Sequence, residues 1–198
     1  MKKNTTWFSI IEILIWIVIF TLWLTGTYAL ILSTMSLNEY SKNSIIATNL
    51  ARETLENIRN VRENNYKKLY KWNKLPWIDP NDLFSTWVYY KIENDYSTSL
   101  ETVQFEEITP FAEWKNNLNN MNNYILYLDG ENKYTYDSTG HKKTYFYRYA
   151  KFHDVNYSSG WINITITGAL QVTSKVIWYS RWYHEIELKT ILTDYLRQ

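Results

Sequence analysis

Three histidines, His141, His153 and His184, are the side chains best suited to proton transfer or metal ligation near neutral pH, and each stands alone. The chain has no cysteine and no HExxH, CxxC, GxSxG or P-loop pattern. It therefore holds no catalytic constellation, implies no cofactor and reads as a non-enzyme. The acidic turn Asp79, Asn81, Asp82 lacks the spacing of a calcium loop and reads as a solvated, proline-flanked turn, not a metal site. Two stretches interleave cations with aromatics. One runs over residues 66–74 and contributes Lys67, Lys68 and Lys71. The other runs over residues 141–153 and contributes Lys142, Lys143 and Arg148, with Tyr145, Tyr147 and Tyr149 on one strand face and Phe146 and Arg148 on the other. Cations beside stacking rings can hold single-stranded nucleic acid without sequence preference. The ordinary alternative is a tyrosine face covering a helix, with lysines along a solvated edge.

Glu12 has no such ordinary alternative. It is the single charge in an apolar run from Phe8 to about Met35, which exceeds the roughly 20 residues a membrane-crossing helix needs. An ionisable group inside such a helix is expensive and implies a function and a partner, yet nothing else between Phe8 and Met35 could pair with it. A short basic leader, residues 1–7 with Lys2 and Lys3, precedes the run. A secretory signal would instead carry its cleavage site after a shorter apolar core. Processing ahead of the run would leave the hydrophobic helix on the mature protein.

Past the membrane segment the helical periodicity continues to about Asn64, with no proline. Ala47, Leu50, Ala51, Leu55, Ile58 and Val61 recur at spacings of three and four, while Arg52, Glu53, Glu56, Arg59, Arg62 and Glu63 decorate the other side. A helix from Phe8 to Asn64 would span roughly 85 Å at 1.5 Å per residue. Residues 65–122 read as an irregular connector with strands at 86–94 and 102–108, turns at Pro76, Pro80 and Asn81-Asp82, and a polar loop at 116–123. From residue 123 the chain is strand-like. Segments 124–128, 133–136 and 143–152 are separated by the turn signals Asp129-Gly130 and Ser138-Thr139-Gly140. Residues 161–171 alternate as a half-buried strand, with Ile162, Ile164 and Ile166 opposite Asn163, Thr165 and Thr167. The segments 175–180 and 183–192 form a closing hairpin around Arg181-Trp182. The fold class is α+β: a long N-terminal helix packed on a C-terminal antiparallel sheet.

These features resemble the type IV pilin and pseudopilin family, specifically over residues 1 to about 65 and weakly at the C-terminal strands. In that family a short basic leader is cut between Gly and a Phe-type residue, the new terminus is N-methylated, and Glu stands fifth in the mature chain. Lys2 and Lys3 match the leader, Phe8 the methylated terminus and Glu12 the glutamate. Trp7, on the leader side of the cut, departs from the family's Gly. The helix and residues 51–66 look like those of minor pilins. The resemblance implies that Glu12 faces the amino terminus of Phe8 on a neighbouring subunit, each charge neutralising the other in an apolar setting. It also implies the partners: other pilins, a prepilin peptidase, an inner-membrane platform protein and a cytoplasmic assembly ATPase. The chain would cross the inner membrane once before assembly, its C-terminal domain outside the cytoplasm. Afterwards it would lie in an extracellular or periplasmic filament, a type IV pilus or the related filament of type II secretion. Two alternatives stay open: a DNA-uptake pilin using the basic-aromatic strands, and a single-pass anchored binding domain that never polymerises.

Ten Trp stand against five Gly in 198 residues, the reverse of ordinary usage. Trp16 would lie too deep for an interfacial aromatic belt, and Trp77, Trp161 and Trp182 sit where turn chemistry favours Gly. The resemblance points the same way, since Trp7, Trp16, Trp23 and Trp182 occupy positions where relatives use Gly. The expectation is that many of these codons are UGA, read as Gly in the source organism. The formal net charge is +1, and loss of Lys2 and Lys3 with the leader turns it to −1, so global charge gives no support for nucleic-acid or membrane-surface binding.

Overall fold

The computed structural model describes residues 10–74, 84, 86, 88–95, 102–108, 123–159 and 162–194. The leader, the Trp7–Phe8 junction, Trp77, Trp161 and the acidic turn at Asp79, Asn81 and Asp82 lie outside these. The chain divides into two units, residues 1–43 and 44–198.

Helix α1 (Ile10–Lys67) is continuous for 58 residues. In the first unit it carries a run apolar and long enough to cross a membrane, with a mean hydropathy of 2.1 and none of that run buried. Side chains point outward all round it, from Ile10 at 79% exposure through Trp16 at 63%. Four threonine hydroxyls of this segment bond within the helix itself. Thr25 donates to Thr21 O at 2.7 Å, Thr27 to Trp23 O at 3.0 Å and Thr34 to Leu30 O at 2.9 Å. Thr21 likewise donates to Ile17 O. Those four hydroxyls need no water in a hydrocarbon surrounding.

In the second unit the same helix becomes one-sided. Ala47, Leu50, Ala51, Leu55, Ile58 and Val61 are all buried, the stripe that the three-and-four spacing marks. Seven strands follow: β1 (Tyr89–Asp95), β2 (Thr102–Ile108), β3 (Ile125–Leu128), β4 (Tyr134–Thr135), β5 (Lys142–Ser159), β6 (Ile162–Tyr179) and β7 (Tyr183–Thr193). All pairings are antiparallel. β5 is the spine of the sheet: β6 lines one side of it, β3 and β1 the other, and β7 closes on β6.

Alternation along β5 decides which side chains meet the helix. Phe146, Ala150 and Phe152 join α1 residues in two apolar clusters, together with Val172, Val176 and Trp178 of β6. Tyr147 and Tyr149 point from the opposite face of β5 and are buried among Tyr89, Tyr124, Ile125 and Ile177. The tyrosine face therefore does not cover the helix. It builds a second aromatic layer behind the sheet, with Tyr124 and Tyr149 at a centroid distance of 5.4 Å and Tyr89 and Tyr149 at 5.3 Å.

Three further expectations need correction. Segments 161–171 and 175–180 are one strand, β6, because pairing with β5 and β7 runs on through the polar residues Thr173, Ser174 and Lys175. The 164–167 part of that strand is exposed on both faces rather than half-buried, because β7 reaches back only to Ala169. In the last hairpin, Ser180 N–H donates to Trp182 O at 3.3 Å, and Trp182 is not left-handed. The left-handed residues other than glycine, among those described, are Leu69 and Asn132. Asn132 takes that role in the β3–β4 turn in place of Gly130, while Asp129 Oδ1 accepts the N–H groups of Glu131 and Lys133 at 2.9 and 2.8 Å.

Candidate functional site

Glu12 lies in the first described turn of α1, flanked by Ile11 and Ile13 and exposed with them. Its placement follows from composition. Ile, Leu, Trp, Val and Phe fill the turns on either side, so the carboxylate stands on a surface otherwise apolar. A carboxylate near the start of a helix is favoured by the helix dipole. No described residue in those turns supplies a counter-charge once water is removed. The chemistry available to it is the acceptance of a cation or a hydrogen-bond donor from another molecule.

The second unit grips its part of the helix through a buried cation. Arg148 on β5 is fully buried, between the helix and the loop after β4. Its NH1 lies 3.1 Å from Glu53 Oε2 on α1, an ion pair without hydrogen-bond alignment. NH2 donates to Ile92 O at 3.1 Å, and Nε donates to the Tyr136 hydroxyl at 3.2 Å. The Tyr136 hydroxyl in turn donates to Arg148 O at 2.8 Å. Burial works against the guanidinium charge, but the Tyr136 hydroxyl and the Glu53 and Glu93 carboxylates outweigh it and hold the pKa above its ordinary value. Burial pushes the Tyr136 phenol up, so that group stays neutral. The result ties helix, β1, β5 and the loop after β4 together at one point.

Arg148 thus departs from the role of a surface cation for nucleic acid, since it is fully buried and its Nε and NH2 donate inside the fold while NH1 pairs with Glu53. Sequence alternation put it correctly on the face opposite the tyrosines. The pairing with Glu53, 95 residues earlier, has no local signal. Lys67, Lys68 and Lys71 are exposed at the C-terminal end of α1, and Lys142 and Lys143 are exposed at the start of β5. Tyr147 and Tyr149, the rings expected to stack on bases, are buried. Of the second basic-aromatic stretch, Tyr145 and the two lysines remain at the surface.

The histidines are dispersed. His141 Nδ1 lies 3.0 Å from Asp137 O, His184 stacks on Trp178 at a centroid distance of 5.2 Å, and His153 faces a shallow polar groove on the sheet. No group of three metal-ligating side chains occurs among the described residues. Trp72 and Trp178 are core side chains, whereas Trp16, Trp23 and Trp182 are exposed, the last at 76%. No family model, curated protein or solved structure matches the chain.

Proposed function

We propose that this protein is a structural subunit, a minor pilin or pseudopilin, of a type IV pilus or related secretion filament. The observation that carries this reading is a single unbroken helix with two characters. Its first part is apolar on every side and interrupted only by Glu12, and its later part is one-sided and buried against an antiparallel sheet. The all-round apolar part suits storage in a bilayer and transfer into a bundle of like helices, where lipid contacts are exchanged for helix contacts. Glu12 then meets the amino terminus of Phe8 on a neighbour. The subunit makes and breaks no bond itself. Leader cleavage is the work of a prepilin peptidase, and extraction that of a platform protein and an ATPase. The DNA-uptake alternative draws little from the fold, which commits Arg148, Tyr147 and Tyr149 to the interior.

The test is Glu12→Ala in cells that make the filament, with membranes and sheared filaments fractionated separately. The anchor loses only an expensive carboxylate, so membrane insertion is retained. Incorporation into filaments falls sharply. Unchanged incorporation would count against the role of Glu12, and absence of the wild-type chain from the filament fraction would leave it a single-pass anchored domain.

A further inference from the structure

Where α1 ends, the chain is turned back over the sheet and held there. Tyr70 N–H donates to Asn65 O at 2.9 Å and Leu69 N–H to Tyr66 O at 3.0 Å, with Leu69 at φ 57° in a position that favours glycine. The buried Asn65 carboxamide then donates to Trp72 O at 3.1 Å and Lys74 O at 2.8 Å, and Phe84 N–H donates to Asn73 O at 3.0 Å. Opposite this pinned loop the sheet is puckered. Between the pairs Asp154↔Leu170 and Asn156↔Thr165, one residue of β5 faces four of β6. Gly168 turns left-handed at φ 82° within that excess. Its carbonyl accepts the Asp194 N–H at 2.8 Å, and Asp194 Oδ1 accepts the Tyr66 hydroxyl at 3.3 Å. Strand irregularities of this kind recur beside binding sites.

The pucker and the loop enclose a cleft of about 480 Å³, lined among others by Lys71, Trp72, Asn73, Asp154, Ile166 and Asp194. That volume falls in the roughly 300–1,000 Å³ range of small-molecule sites. The lining selects the chemistry. Among the described lining residues two carboxylates stand against one lysine, which disfavours an anion. Two carboxylates are also too few for a hard divalent cation, which takes about six or more oxygen ligands. Carboxylates accept only, Lys71 donates only, and Asn73 and Thr167 do both. A ligand whose hydroxyls both donate and accept satisfies all of them, while the exposed Ile166 offers an apolar ledge to a ring face. We propose that this cleft binds a neutral saccharide residue. The proposal is independent of filament assembly and leaves Glu12 no role in it.

The experiment is calorimetric titration of the full chain, held in a detergent without a sugar headgroup, with glucose, galactose, N-acetylglucosamine and short oligomers of each. At least one binds with unit stoichiometry, and Asp154→Asn, checked for retained circular dichroism, weakens it by about tenfold. Thr167→Val serves as a second variant and also weakens binding. Glu131→Gln, in the exposed β3–β4 turn and bordering neither this cleft nor the groove near His153 that shares Asp154 with it, leaves it unchanged. Absence of binding by every sugar, binding indifferent to both cleft variants, or tighter binding of inorganic phosphate than of any sugar overturns the proposal.

Discussion

Replacing Arg148 by Met, and Glu53 by Gln, separates the charge at the helix–sheet junction from the packing around it. Arg148 is fully buried, so a methionine side chain in its place fills most of its volume but leaves Ile92 O and the Tyr136 hydroxyl without their donor. Each lost partner costs about 1–3 kcal/mol. The Glu53 side chain is 39% exposed, so once alone it turns to solvent at little cost. Arg148→Met is therefore expected to destabilise by about 2–4 kcal/mol. Glu53→Gln keeps an acceptor near the guanidinium but removes its counter-charge. A fully buried pair broken this way costs about 3–5 kcal/mol, and partial exposure of Glu53 lowers the expectation to about 1–2 kcal/mol. The double variant should show a coupling energy of about 1 kcal/mol, because the second change removes an interaction already lost. The assay is denaturant unfolding of the detergent-solubilised protein, followed by near-ultraviolet circular dichroism, for the wild type, both single variants and the double variant. Strict additivity, with both single variants costing less than about 0.5 kcal/mol, would refute the idea that this contact ties helix to sheet.

Leu69→Gly should stabilise the second unit by up to about 1 kcal/mol, since a β-carbon is removed from a left-handed residue that is 94% exposed; a loss of stability in the same unfolding assay would contradict the turn geometry. Alkaline pH should unfold the protein through its tyrosine layer. Burial first, and the neighbouring Tyr89 second, push the Tyr124 phenol up to about 12. A raised phenol pKa means the folded state holds its proton while the unfolded state releases it. The stabilising effect is complete below pH ~10 and is lost as pH climbs through about 12, amounting to roughly 2–3 kcal/mol for this group. Tyr147 and Tyr179 shift the same way and for the same first cause. Exposed tyrosines such as Tyr70 and Tyr145 ionise first, and a second rise in tyrosinate absorbance should coincide with loss of near-ultraviolet signal; completion of the whole rise before unfolding would contradict the burial of this layer.

The helix was legible in the sequence because an apolar run without proline passes directly into three-and-four spacing from Ala47 through Val61. Every apolar residue of its later stripe is in the core. The strands were legible where turn chemistry bounded them, at Ser138-Thr139-Gly140 and around Arg181-Trp182. Strand length was not, because β6 continues through Gly168 and Thr173-Ser174-Lys175, residues that locally suggest an interruption. At Thr173-Ser174-Lys175 pairing with β5 and β7 on both sides holds it extended, and at Gly168 the carbonyl is held by the Asp194 N–H. Arg148 looked like a surface cation for the same reason, as its partners Glu53, Ile92 and Tyr136 come from three other parts of the chain. The cleft beside Trp72 was invisible, because a strand pucker arises from register and register is a property of two strands. Trp182 was expected to strain its turn, yet its backbone is not left-handed, so nothing in that hairpin demands glycine. Trp16, Trp23 and Trp182 are exposed, the Trp23 ring centroid lying 6.3 Å from that of Phe20, and none of them belongs to the core.

The filament reading stands most directly on where the mature chain begins. Intact and peptide mass spectrometry of the protein purified from its native membranes reads that terminus. It also distinguishes Gly from Trp at positions 16, 23 and 182 in the same experiment. The account predicts a chain starting at Phe8, methylated on its amino group, with the whole of Ile10–Lys67 retained. A chain that starts at Met1, or one that begins beyond Met35, would contradict it.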